Sequence, residues 1–171
     1  TMLRRQTRSL LVTDPPTHEE RERMAAGASD VPAVQTRITV ATLNTLQYGR
    51  YEANRRGVSA WATARTGLTW DEAVEDADGL ALLGAGLRWA RIGAAVERVE
   101  TRTVNRVTDE VTDWTPAEWP ALKDLDTFVE DTAGDLADAL DRLVFDLNPG
   151  LFRFEEQDAA DAKKNGGISV V

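Results

Sequence analysis

Between Thr69 and Arg102, apolar residues recur at the spacing of an α-helix and form two separate stripes. One stripe consists of Leu80, Leu83, Leu87 and Ala94, and the other of Trp89, Ile92, Val96 and Val99. Thr69 and Glu72 have the spacing of a capping box, which predicts where the helix begins. A helix with two apolar stripes is covered on more than one side. We therefore expect it at the centre of the core or between the core and a second subunit.

A second helix is predicted to begin after Asn44, because Gln47 stands at the third helical position and completes another capping box. Tyr48 and Tyr51 lie three residues apart, so this helix has an aromatic face. Gly57 is its expected end, since glycine is common just after the last helical residue.

Two more helices are predicted towards the C-terminus. Thr115 followed by Pro116 has the pattern of an N-cap with proline at the first helical position. Residues 131–147 carry a leucine-rich stripe, and the following Asn148-Pro149-Gly150 is a helix-ending sequence.

One strand is predicted, because Val34, Thr36, Ile38 and Val40 alternate with polar residues. The Val- and Thr-rich residues 104–111 are its best local partner. The sequence thus predicts a mainly α fold, with a compact helical domain at residues 34–152 and a minor two-stranded β element. Residues 1–33, interrupted by prolines, are predicted to be an N-terminal arm, and residues 153–171 a flexible C-terminal tail. Within the arm, Thr17 and Glu20 have the spacing of a capping box and predict one short helix that ends near Gly27.

Composition excludes several kinds of chemistry. The chain has no cysteine and one histidine, His18, so disulfides, thiolate sites and histidine-rich metal sites are ruled out. The net charge is -9, which disfavours nucleic acid as a partner. No apolar run is long enough to span a bilayer. We expect no cofactor and no metal, and a reducing compartment fits the lack of cysteine.

Acidic and glycine-rich segments give weak signals for catalysis. Asp124 and Asp126 resemble the start of a calcium loop, but the remaining oxygen ligands and the closing glutamate are missing. Gly84-Ala85-Gly86 has no lysine nearby and is better explained by close helix packing than by phosphate binding. We expect a non-enzymatic protein, and an enzyme that uses carboxylates and a divalent metal is kept as an alternative.

Seven residues are the candidates for binding a partner protein. Four arginines recur at helical spacing and make a basic stripe, which either docks an acidic partner or pairs with the acid-rich last helix. Large aromatic side chains are enriched at binding hot spots and are also common in cores. The candidates are Arg88, Arg91, Arg98, Arg102, Trp89, Tyr48 and Tyr51.

The order of these features resembles a known family. A short strand, Arg37-Ile38-Thr39-Val40, leads through Leu43 into a helix, and a longer helix ends in Trp89-Ala90-Arg91-Ile92-Gly93-Ala94-Ala95-Val96-Glu97. A Val-rich polar stretch then closes on Asp113-Trp114, and a last helix ends in Leu147-Asn148-Pro149. Over residues 34–152 this layout resembles the small tail-assembly chaperones of long-tailed bacteriophages, or related proteins of phage tail gene clusters.

The resemblance implies a helical, non-enzymatic protein of the host bacterial cytoplasm. Such chaperones bind the tape-measure protein during tail assembly, often as homo-oligomers. A helical partner laid in an apolar groove would suit the helix faces and arginines above. The N-terminal arm fits the alternative of a structural subunit of a virion or related particle, in which arms lace neighbouring subunits together.

Overall fold

The computed structural model describes residues 4–152, in which helices and a sizeable sheet share the chain. The strands are β1 (Thr7–Thr13), β2 (Pro32–Ala41), β3 (Val96–Asn105) and β4 (Thr115–Pro116). The helices are α1 (His18–Ala25), α2 (Thr45–Thr66), α3 (Trp70–Ala73), α4 (Ala77–Ala95), α5 (Leu125–Asp131) and α6 (Gly134–Leu147), with a 3₁₀ turn at Pro120–Leu122. The predicted C-terminal tail, residues 153–171, lies outside the described residues.

The prediction of a mainly α fold with a two-stranded element is wrong. Over residues 4–152 the fold is mixed α/β, 52% helical and 20% strand, and its sheet is four-stranded and antiparallel in the order β1-β2-β3-β4. The strand predicted around Val34–Val40 is present within β2. Its partners are β3 and, on the other side, β1, which lies in the segment predicted to be an arm. Of the predicted partner, residues 104–111, only Val104 and Asn105 pair with β2, as the end of β3, and Val104 also forms an isolated bridge with Val111.

The long helix predicted to reach Arg102 ends at Ala95, and the chain continues as β3. Val99, Thr101 and Thr103 are β-branched and alternate with charged residues, a pattern that fits a strand. Pairing with β2 supplies the hydrogen bonds that a longer helix would have made internally, and it sets Val99 opposite the buried Ile38. The second apolar stripe is therefore helical only up to Ile92.

Other boundaries differ from expectation. Helix α2 passes through Gly57 and ends at Thr66, and its C-cap Gly67 takes the left-handed conformation (φ 74°) that glycine adopts without strain. The capping box of Thr69 forms as predicted but starts only the short α3, and α4 begins with Asp76 as its N-cap. Thr115–Pro116 is strand β4 rather than a helix start, because it pairs with β3.

The core has two connected parts. In the first, α4 and α6 pack on the sheet face that carries Ile38 and Val40, and Leu140 and Val144 of α6 are fully buried there. The second lies between α2, α4 and α5 and holds the following buried residues: Val58, Ala62, Ala73, Leu83 and Leu125. Trp89 packs against both parts. Helix α4 is thus central, as its two stripes predict, and its remaining face borders a groove.

Candidate functional site

A groove of about 470 Å³ runs between α4 and the α5–α6 segment. Its α4 wall consists of Leu80, Ala81, Gly84, Ala85 and Arg88, and the opposite wall includes Phe128, Val129, Gly134 and Ala137. Leu80 is 50% exposed, although large apolar side chains are usually covered. The groove therefore has both apolar and polar lining, and its small residues let another chain approach the α4 backbone.

Two glycines of α4, Gly84 and Gly86, face different surroundings. A Cβ on Gly86 would clash with Cγ1 of Val58, so this glycine is needed where α2 and α4 pack closely. A Cβ on Gly84 would meet nothing within 4 Å. Close helix packing, predicted for Gly84-Ala85-Gly86, thus accounts for Gly86. Packing within the described residues does not account for Gly84, which lies in the groove.

A buried ion pair lies at the base of the groove. The Arg91 guanidinium donates to both carboxylate oxygens of Asp141, from Nε to Oδ1 and from Nη2 to Oδ2, each at 2.9 Å. Arg91 also lies over the Phe145 ring, with its Cζ 5.0 Å from the ring centre. Both charged side chains are about nine-tenths buried. This geometry fixes α4 against α6 and gives Arg91 a structural role.

Arg88 is the cation that the groove presents to solvent. Its side chain is 35% exposed and lies 3.7 Å from Asp138 and 3.4 Å from Asp141. Both distances exceed those of charge-assisted hydrogen bonds, which are about 2.7–2.9 Å. An acidic group of a partner can therefore compete for Arg88.

The other predicted site residues do not join this groove. Arg98 and Arg102 lie on β3, so the predicted stripe of four arginines is not one helix face. Arg98 is 3.4 Å from Glu100, and Arg102 donates to Gln35. Trp89 is half-buried and its Nε1 donates to the Ala121 carbonyl.

The predicted tyrosine pair of α2 is also separate. Tyr51 is buried against Phe152, with ring centres 5.0 Å apart in an edge-on arrangement. Tyr48 is 37% exposed, with its ring 6.0 Å from that of Tyr51. Tyr51 is therefore a core residue, and Tyr48 borders the surface away from the groove-lining residues.

Arg102 instead belongs to a cluster on the second sheet face that sequence reasoning missed. Arg37 and Arg102 both lie over the Trp114 ring, 4.4 and 4.3 Å from its centre. Arg37 also donates twice to one oxygen of Glu100, at 2.9 and 2.7 Å. Charged and β-branched residues alternate in 98–103, and this alternation could have indicated a strand with a charged face. The position of Trp114 beside that face could not be predicted, because it depends on the pairing of β4 with β3.

The acidic residues considered for metal binding have structural partners. Asp124 is the N-cap of α5, and hydrogen bonding from the Thr127 side chain lowers the pKa of its carboxyl. Asp126 accepts from Trp61 and from Arg65, and the hydrogen bond to Glu130 raises the pKa of Arg65. Within residues 4–152, no three His, Asp or Glu side chains converge in a way that would hold a metal ion.

The described helices include none with the length and apolar character needed to cross a bilayer. No known protein family, curated protein or solved structure matches the chain.

Proposed function

We propose that this chain is a non-enzymatic protein-binding protein, an assembly chaperone or adaptor that holds an α-helix of its partner in the groove between α4 and α5–α6. The observation that carries the proposal is the open position of Gly84 beside the exposed Leu80. Glycine inside a helix costs roughly 0.5–1 kcal/mol relative to alanine. Close approach of another backbone is a physical reason for tolerating that cost.

The lining indicates the chemistry of the partner. A helix laid in an apolar groove presents residues at spacings of three and four. Small residues of the partner fit over Gly84, larger apolar ones fit against Leu80 and Val129, and an acidic one reaches Arg88. The resemblance to tail-assembly chaperones makes a tape-measure protein the named candidate partner.

The alternative of a particle subunit with a lacing N-terminal arm has less support. Residues 7–13 of that segment are paired along their length with β2 of the same chain. One edge of this segment is therefore used within the chain's own sheet, and an arm that reached away to a neighbouring subunit would have to break these bonds.

The test is a selection from a library of amphipathic helical peptides against the purified protein. Enriched peptides are expected to combine a small residue, flanking leucines and an acidic residue. The affinity of these peptides for the Gly84→Leu variant should be at least tenfold lower than for the wild type, because the leucine side chain would occupy the groove. Gly57→Leu is the matched control, because Gly57 is another exposed helical glycine with open space around it. Peptides that bind both variants equally would place the binding surface elsewhere.

A further inference from the structure

Among residues 4–152, strand β1 pairs on one side only, and the hydrogen-bonding groups of its other edge can be assigned from its pairing with β2. Asp14 N donates to the Val34 carbonyl at 3.0 Å, and Thr42 N donates to the Gln6 carbonyl at 2.9 Å. In an antiparallel pair the bonded positions alternate, so the even-numbered residues of this strand bond to β2. The N–H and C=O groups of Thr7, Ser9, Leu11 and Thr13 therefore point away from the sheet.

This edge lacks the features that usually prevent strands from pairing with other chains. Such features are proline, several charges, a bulge or a covering helix. The strand Thr7–Thr13 contains no proline, has Arg8 as its one charged residue, and is in continuous register with β2. Leu11 is 54% exposed on it. An uncovered edge of this kind is a pairing surface.

We propose that β1 pairs with β1 of a second copy, in an antiparallel register centred on Leu10, so that two sheets join into one. In this register Thr7 lies opposite Thr13, and Ser9 opposite Leu11. All four outward residues then face one another, so every outward N–H and C=O of both strands has a partner. Centring on Leu11 instead would set Thr7 against Pro15, which has no N–H to donate.

The side chains also suit this register. Arg8 lies opposite Val12 of the second copy. The two Arg8 side chains therefore do not face each other, and repulsion between like charges is avoided. The two Leu10 side chains meet on the face where Leu10 already packs against the core. Leu11, exposed in the single chain, is covered by the second strand on the other face.

Helix α6 extends the contact on the core side. Leu136, Ala139, Leu143 and Asp146 share one helix face. Asp146 lies 3.8 Å from Arg8, and Leu136 borders the same cavity as Val12, so this face runs along β1. The three apolar residues are only half-buried in the single chain. A second copy at the β1 edge would meet them next to the paired strands.

The first experiment measures the mass of the full chain by light scattering. We expect about twice 18.8 kDa for the wild type and 18.8 kDa for Leu11→Pro. Proline removes an outward N–H and leaves the bonds to β2 intact, so circular dichroism should show an unchanged fold. Leu11→Thr keeps the N–H and should remain a dimer. A monomeric wild type, or a dimer that survives Leu11→Pro, would overturn the proposal.

The register is tested with single cysteines, because the chain has none of its own. Under mild oxidation Leu10→Cys should form a disulfide-linked dimer, since the two residues are directly opposite. Leu11→Cys should not, because the two Leu11 positions are offset along the strands. Crosslinking of Leu11→Cys alone would show a different register and contradict the proposal.

Hydrogen exchange identifies any other occupant of the edge. Amides of Thr7, Ser9, Leu11 and Thr13 should exchange slowly at high protein concentration and quickly on dilution. Amides of Arg8, Leu10 and Val12 should exchange slowly at both protein concentrations, because they donate hydrogen bonds to β2. Slow exchange of the first set in a monomer would mean that another segment of the same chain covers the edge, and would refute pairing with a second copy.

Discussion

Arg91 of α4 and Asp141 of α6 form a buried ion pair with two hydrogen bonds of 2.9 Å each. The pair lies under the groove and joins the two helices that pack on the sheet. Breaking such a pair leaves an uncompensated charge inside the protein, whereas replacing both members with apolar residues is often neutral. The stability of the groove walls therefore depends on both residues together.

Asp141→Asn is expected to lower the free energy of unfolding by about 3 kcal/mol, because Arg91 keeps its charge and loses its counterion. Urea denaturation followed by circular dichroism measures the change. Asp138→Asn is the control on the same helix, and its carboxylate is more exposed, so a loss within about 0.5 kcal/mol is expected. The double variant Arg91→Met/Asp141→Leu should recover most of the loss. Equal effects of the two single variants would show that Asp141 has no special role.

Alanine at the two glycines of α4 should have opposite effects. Gly86→Ala forces a Cβ against Val58 and should lower the free energy of unfolding by about 1–3 kcal/mol. The added Cβ of Gly84→Ala would meet no neighbour. This variant should therefore raise the free energy of unfolding by about 0.5–1 kcal/mol, because alanine has a higher helix propensity than glycine. Thermal unfolding of both variants tests this contrast. Destabilisation by Gly84→Ala would mean that the groove is filled within the chain.

Trp114 should contribute through its two arginine contacts. A cation over an indole ring is worth about 0.5–1 kcal/mol at a partly exposed site. A double-mutant cycle of Trp114→Ala and Arg102→Ala in urea should give a coupling energy of that size. Trp114→Ala combined with Arg98→Ala is the control, because Arg98 contacts Glu100 and has no ring contact with Trp114. Coupling in the control as large as in the test pair would contradict a specific ring contact.

Asp124 should make stability depend on pH. Its pKa in the folded protein lies below the ordinary value of 3.8, chiefly because Thr127 donates to the carboxylate. The carboxylate therefore stabilises the fold above that value, and the contribution is lost as pH falls through the lower, folded-state pKa. The melting temperature of Asp124→Ala should lie below that of the wild type at pH 6, and the gap should narrow below pH 3.8. Asp124→Asn keeps a side-chain oxygen that can cap the helix but does not titrate. The melting temperature of this variant should therefore lack the pH-dependent contribution of the Asp124 carboxylate. A gap that stays constant with pH would exclude the assigned role.

The groove was only partly predictable from the sequence. Arg88 was singled out, and it does face the groove, but its expected companions Arg98 and Arg102 lie on β3. The four arginines share one helix face only if the helix continues to Arg102, but α4 ends at Ala95. The helical spacing places Leu80 in an apolar stripe that is expected to be covered. In the structure Leu80 is half-exposed, because no described element covers that side of α4.

Local sequence is enough to specify where several helices begin. The capping boxes of Thr17 with Glu20, Asn44 with Gln47, and Thr69 with Glu72 all form. Each depends on hydrogen bonds between residues three positions apart, so it needs nothing from the rest of the chain. The leucine stripe of α6 is equally local, because it follows from helical spacing.

The sheet and the surfaces that depend on it form only through contacts between distant parts of the chain. Thr7–Thr13 is a strand because β2 supplies its hydrogen bonds, and Val96–Asn105 leaves the helix for the same reason. The pairings of β2 with β1 and β3 join residues 22 to 73 positions apart. Such contacts leave only a weak alternation in the sequence, since a strand is stabilised by neighbours that its own residues do not specify.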